Sequence, residues 1–254
     1  MATLDIERLK AMSADELSAL LSPDNVERSA VIKMTAEAGF ADAQALYGQM
    51  LLDGSGIAQD QRAAIGWFHK AAEQGHAMAI NMIGRCYDLG WGVAIDKARA
   101  AEWFRIAADK GLDWGLYNYA TLLALGQGVA EDKPAALALF RKAAAMGNAK
   151  AINFVGSFYE DGWVVDRDMA VAAYHYRRAA EGGDFRGRFN HARMLACAGD
   201  VDDALLWLAR VGENATPAFM TKAEAWLSAS GDERLRSEGI AALNRNQSGG
   251  DATI

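Results

Sequence analysis

Gly90 and Gly92 stand just ahead of Asp96 in the stretch DLGWGVAIDKARAAEWFRIAADKG, residues 88–111. Paired glycines before a helical pattern are the ingredients of a phosphate-binding turn, whose backbone N–H groups hold an anion at a helix N-terminus. Such a turn follows a β-strand and is normally single. Here the pair returns every 36 residues, as Gly54 and Gly56, Gly90 and Gly92, Gly126 and Gly128, then Gly162 with Val164. The aspartate keeps step at Asp24, Asp60, Asp96, Asp132 and Asp168, and a closing glycine at Gly39, Gly75, Gly111, Gly147 and Gly183. The residues before the pair, AINMIGRCYDL, place Ala79, Met82, Ile83, Gly84 and Tyr87 at helical spacing. The pair is therefore a joint between two helices and cradles no phosphate.

Other residues with chemical potential form no catalytic set. His69, His76, His175 and His191 show no HExxH or paired-ligand spacing, and His175 occupies a column otherwise held by Trp67, Trp103 and Leu139, which reads as a partly buried core position. Asp53 and Asp161 lie beside glycines, but the order of a calcium loop is absent. Cys86 and Cys197 have no metal-ligand spacing and read as small core hydrophobes without a disulfide. No nucleophile–base pair emerges. The expectation is a protein that is not an enzyme and needs no cofactor and no metal.

Bulk properties narrow the class further. The 254 residues are 52% hydrophobic with three prolines, enough for a sizeable helical core. A formal charge of −7 opposes nucleic-acid binding and docking on anionic membranes. The start, MATLDIERLK, carries Asp5 and Glu7 where a signal peptide needs apolar residues, and no stretch approaches the roughly 20 apolar residues that span a bilayer. A cytoplasmic location is expected.

The elements that surround the joint explain its residues. Gly90 can close a helix in the left-handed conformation, and Gly92 allows a close backbone return. Ile57, Val93, Val129 and Val165 supply an apolar plug, and Asp96 caps the next helix. That second helix carries one stripe, Ala100, Trp103, Phe104, Ala107 and Ala108, repeated at Ala64 to Ala72, Ala136 to Ala144 and Ala172 to Ala180. One helical hairpin cannot bury this stripe alone, whereas stacked hairpins can. The fold expected is all-α, a right-handed α-solenoid of stacked helical hairpins with a 36-residue repeat.

The pattern resembles the Sel1-like repeat, a relative of the tetratricopeptide repeat. The resemblance rests on Ala79, Ile83–Gly84, Tyr87, Gly90, Gly92, Val93, Asp96, Trp103–Phe104, Ala107–Ala108 and Gly111, and recurs in four copies. It implies repeats at 40–75, 76–111, 112–147 and 148–183. Residues 1–39 read as capping helices and a half-repeat, with Ser13 and Glu16 at capping-box spacing. Residues 184–245 read as a degenerate tetratricopeptide-like repeat with C-terminal capping helices, and 246–254 as a disordered tail. Some secreted relatives are associated with β-lactams, but this chain has neither S-x-x-K nor paired cysteines.

Function is then left to a surface. If the first helices line the concave side, as in the tetratricopeptide relatives, inward positions fall three, six, ten, thirteen and fourteen residues after each closing glycine. Repeat two offers Met78, Asn81, Arg85, Asp88 and Leu89. Repeat three offers Trp114, Tyr117, Thr121, Ala124 and Leu125. Repeat four offers Lys150, Asn153, Ser157, Glu160 and Asp161. The degenerate unit adds Arg186, Phe189 and Arg193, and repeat one Asp42, Ala45 and Gln49. Trp114 and Tyr117 lie one turn apart and suit an interface anchor, or else packing against a neighbouring helix. By resemblance, Asn81 and Asn153 are placed like asparagines that clasp a peptide backbone. Trp91 and Trp163 read mainly as shields of their turns. These features describe a non-catalytic adaptor that binds a partner peptide or helix, as a monomer or weak homo-oligomer. The alternative is a structural or regulatory subunit that self-associates or docks to an enzyme through terminal helices near Trp226.

Overall fold

The computed structural model describes residues 12–22 and 27–245, and all regular structure among them is helical. Asp24, most of the N-terminal cap and the tail from residue 246 lie outside the described residues. The chain divides into two compact units, residues 1–132 and 133–254. That division falls inside the third repeat, after its first helix.

The first unit holds α1 (Ala14–Leu20), α2 (Arg28–Glu37), α3 (Ala41–Asp53), α4 (Gln61–Glu73), α5 (Ala77–Leu89), α6 (Lys97–Asp109) and α7 (Asp113–Leu125). Helices α3 and α4 form one hairpin and α5 and α6 the next, and α4 packs on α5 as α6 packs on α7. The second unit holds α8 (Lys133–Ala145), α9 (Ala149–Asp161), α10 (Met169–Glu181), α11 (Phe185–Ala198), α12 (Val201–Val211), α13 (Pro217–Ser228) and α14 (Ile240–Asn244), the last entered through a π-helical turn, Leu235–Gly239. Its hairpins are α9 with α10 and α11 with α12.

Each joint is built as its residues dictate. Gly54, Gly90, Gly126 and Gly162 end their helices in the left-handed conformation, and the Gly90 N–H donates to the Cys86 carbonyl at 2.9 Å. Asp60, Asp96 and Asp168 accept backbone N–H bonds in the first turn of the helix that follows, for Asp96 from Arg99 at 3.0 Å. Ile57, Val93 and Val129 pack beneath the turn against buried side chains. The second glycine does more than turn the chain. At Gly92 a Cβ would overlap the Gln61 carbonyl, and at Gly128 that of Lys97, so each joint rests on the start of the preceding repeat's second helix. Among the described residues Gly56 has no such neighbour. In the fourth joint the position is Val164, at φ 54°, the one residue other than glycine with positive φ among the described residues.

The hairpins close by seating an aromatic in a glycine notch. A Cβ on Gly84 would stand 2.6 Å from the Phe104 ring, and one on Gly156 2.8 Å from the Tyr176 ring. Phe68, Phe104, Phe140 and Tyr176 are fully buried, flanked by buried alanines. At the N-terminal end, Ser13 and Glu16 form the capping box, with the Ser13 N–H donating to Glu16 at 2.8 Å. The degenerate repeat turns in two residues, Gly199 and Asp200, and its Asp200 side chain caps nothing.

Candidate functional site

In the first unit, Met78 and Trp114 mark the N-terminal end of one face of α5 and α7, and Leu89 and Leu125 its C-terminal end; all four are exposed. Trp114 is 37% exposed and meets half-buried Tyr117 edge-on, with ring centroids 6.0 Å apart and planes at 87°. Trp114 is thus partly accessible, with Tyr117 half-buried beside it. Thr121 donates to the Tyr117 carbonyl at 2.9 Å. Arg85 lies over the Trp91 ring at 4.6 Å, which makes Trp91 a turn shield held by a cation. Asp88 pairs with Lys97 at 2.5 Å. Ala124 is buried. In the first repeat, Asp42 is exposed beside His76 at 3.2 Å, Ala45 is half-buried, and Gln49 donates to Asp53.

The asparagines require a correction. Asn81 is 2% exposed and Asn153 4%. Asn118 of α7 donates to the Asn81 carbonyl oxygen at 2.9 Å, and Asn190 of α11 donates to that of Asn153 at 2.9 Å. Both are rungs between neighbouring first helices, where a polar side chain is kept only because another meets it. Neither can reach a bound peptide's backbone. The signal was present: each pair is separated by 37 residues, one repeat plus one position, and the pairs themselves are two repeats apart.

In the second unit the column residues are mostly engaged with one another. Arg193 grips Glu160 with two bonds, of 2.7 and 2.6 Å, and the Tyr176 hydroxyl donates to Glu160 at 2.6 Å while lying 3.2 Å from Ser157. Burial raises the Glu160 carboxyl, but the bonds from Arg193 and Tyr176 and the charges of Arg193 and Arg167 outweigh it and hold the group below its ordinary value. Ser157, Glu160, Tyr176 and Arg193 therefore form a strut between α9, α10 and α11. Phe189 also needs correction: it is 8% exposed and packs edge-on against Phe219 and Trp226. Its position, inward by column, faces α13, which covers it. Trp226 packs against the same cluster and is half-buried. Arg186 lies over the Phe185 ring at 4.4 Å, Lys150 is half-buried, and Asp161 is exposed. Trp163 is exposed, edge-on to Phe158, with Lys133 above it.

Four further buried polar residues were not singled out from sequence: Gln44, Asn148, Asp184 and Arg188. Asp184 caps α11 through Gly187 at 2.8 Å, and burial raises its carboxyl despite that bond and nearby cations. Arg188 donates to the carbonyl that ends α12, at Arg210, and pairs with Glu213 at 2.7 Å. Arg188 stands where the three central repeats carry Ile80, Leu116 and Ile152 and the first carries Gln44, so both ends of the column turn polar, a change visible in the sequence.

The remaining chemical candidates sit as structural groups. Burial holds His69, His175 and His191 below the ordinary imidazole value, and each packs on an aromatic ring. Cys86 is buried, with its thiol pushed up to about 11 by desolvation, whereas Cys197 is exposed at the end of α11, contrary to the core position expected for it. Among the described residues, no group of three or more His, Cys, Asp or Glu could hold a metal, and no helix is long and apolar enough to cross a membrane.

The repeat seen in the hairpins matches a known family. The Sel1 repeat pattern covers residues 41–76, 77–112, 115–148 and 149–184, more than half of the chain. The chain belongs to the Sel1 repeat family. Among solved structures, a Sel1 repeat protein from Oxalobacter formigenes aligns with a TM-score of 0.70 and 24% identity, over 88% of this chain and 98% of that one. A protective antigen of uropathogenic Escherichia coli with the same repeat fold gives a TM-score of 0.66 and 25% identity, over 93% of this chain and 53% of the antigen, so the match spans about half of its length. An immunity protein from Pseudomonas aeruginosa shares the fold at a TM-score of 0.52 and 17% identity, over 100% of this chain and 86% of that protein. No match was found among curated protein sequences. Sel1 repeats generally serve protein–protein interaction, and the family is generally a non-catalytic scaffold.

Proposed function

We propose that this Sel1 repeat protein is a non-catalytic adaptor that holds a partner peptide or helix on the first-helix face centred on Trp114 and Tyr117. The observation that carries this reading is the edge-on aromatic pair, its Trp114 left partly accessible although a stripe of alanines and aromatics elsewhere seals every hairpin. A partly exposed Trp loses little rotamer freedom on binding and brings a large apolar area, which is why Trp and Tyr dominate interface energetics. Met78 and Leu125 extend the apolar area at either end. We place the protein in the cytoplasm, a reading supported by its free cysteines, Cys86 and Cys197.

Affinity capture from the native host, followed by titration of the captured partner, tests the site. The double variant Trp114→Ala, Tyr117→Ala keeps its helical circular dichroism and binds about tenfold more weakly or worse, a loss of about 1.4 kcal/mol or more. Unaltered affinity in the folded variant rejects this face.

A further inference from the structure

The charge on the first unit is arranged by face. Residues 1–132 hold 11 Lys and Arg against 18 Asp and Glu, whereas residues 133–254 hold 15 of each. Within the first unit, the first helices α3, α5 and α7 carry Asp42, Asp53, Asp88 and Asp113 against Arg85 alone. The second helices α4 and α6 have the opposite balance, five cations against three acids. The same face carries Met78 and Trp114 at one end and Leu89 and Leu125 at the other. These lie three helical turns apart, roughly 16 Å at about 1.5 Å per residue. In the second unit the equivalent positions are Lys150, Arg186, Asp161 and Cys197, so large apolar side chains at both ends belong to the first unit alone.

Four polar groups of α5 and α7 are already engaged. Asn81 is closed off by Asn118, Thr121 bonds its own helix, Arg85 stacks on Trp91 and Asp88 holds Lys97. An extended segment docked here would bring a row of backbone N–H and C=O groups with few partners to meet them. A helix satisfies those groups internally and needs only apolar contacts and charge complementarity.

We propose, resting on the adaptor reading, that the face of α5 and α7 takes a cationic amphipathic helix. Its apolar stripe would lie along Met78, Trp114, Tyr117, Leu89 and Leu125, with Lys or Arg on its flanks toward Asp42 and Asp53.

Three synthetic peptides of roughly 18 residues, about five helical turns, test this against the full chain. One is a Leu/Lys amphipathic helix, the second its Leu/Glu counterpart, and the third the Leu/Lys sequence with two central prolines. Calorimetric titration should give the Leu/Lys helix an affinity about tenfold or more above either control. That affinity should fall as strongly in Trp114→Ala and in Leu125→Ala and stay level in Trp163→Ala, each variant checked for helicity. A proline-broken peptide that binds equally well, still dependent on Trp114, overturns the helical partner and leaves the adaptor site standing. A Leu/Glu helix that binds as well overturns the charge assignment. Absence of Leu/Lys binding, or binding indifferent to Trp114 and Leu125, overturns the inference. Sedimentation that shows self-association lost in Trp114→Ala gives the face to a second copy and overturns it too.

Discussion

Val164 holds a conformation that three sister joints give to glycine. A β-branched residue in the left-handed region brings Cβ against the following carbonyl, a cost of about 1–2 kcal/mol. The Val164 side chain is 50% exposed, so its removal forfeits little burial. Val164→Gly gives up part of that gain to the unfolded chain's added entropy, about 0.4–1 kcal/mol. The expected outcome is a net stabilisation of up to about 1 kcal/mol in urea unfolding; a loss of stability would mean the valine packs more than its exposure indicates. Glu160 supplies the pH response at the same scale. Its folded-state carboxyl lies below its ordinary value, so its stabilisation is fully present above the unfolded value and disappears as pH falls through the folded one. Glu160→Gln leaves Arg193 without a charge partner in a half-buried site and should cost about 1.5–3 kcal/mol at pH 7. The gap between variant and parent should narrow as pH drops below the ordinary carboxylate range. A gap of constant size down to acid pH would contradict the assigned role.

At the scale of elements, the joint acts as a spacer between repeats. Gly56 and Gly92 share nearly the same φ, 73° and 71°, yet among the described residues only Gly92 rests on a neighbouring backbone. Gly56→Ala should therefore cost only the left-handed penalty of about 1–2 kcal/mol. Gly92→Ala adds a collision with the Gln61 carbonyl, a backbone group that cannot swing aside, and should lose a further 1–3 kcal/mol or so. Urea midpoints of the two variants measure the difference, and equal losses would show that the close approach carries no weight. The repeat register, the left-handed helix ends, the aspartate caps and the capping box at Ser13 were all legible in the chain, because each is local: a few residues decide the backbone there. The fate of Asn81 and Asn153 was legible only as a pairing 37 residues on, and that of Phe189 was not. Helical spacing says which residues share a face, but a face is open only if no other helix lies on it. Asn118, Asn190 and the α13 residues Phe219 and Trp226 supply that cover.

At the scale of the molecule, function depends on what the stacked hairpins leave uncovered. Charge in the first unit, 11 cations against 18 acids, sets up a field that speeds encounter with a cationic partner. Association with such a partner should slow about tenfold or more between low salt and roughly 0.5 M salt, where the screening length falls to a few ångströms. The dissociation rate should move far less, since the apolar contacts of Trp114 and Leu125 set it. Stopped-flow rates at several ionic strengths read both, and a salt effect confined to dissociation would place the charges inside the contact instead of around it. The amino-acid sequence by itself determined the repeat, its length, its helices and its caps, because glycine sterics, capping and apolar periodicity act over one turn or one hairpin. Only the tertiary structure decided which side chains on the first helices are rungs, struts or exposed anchors. That choice depends on which neighbour reaches each group, through contacts 16 to 37 residues apart, and no single helix encodes it.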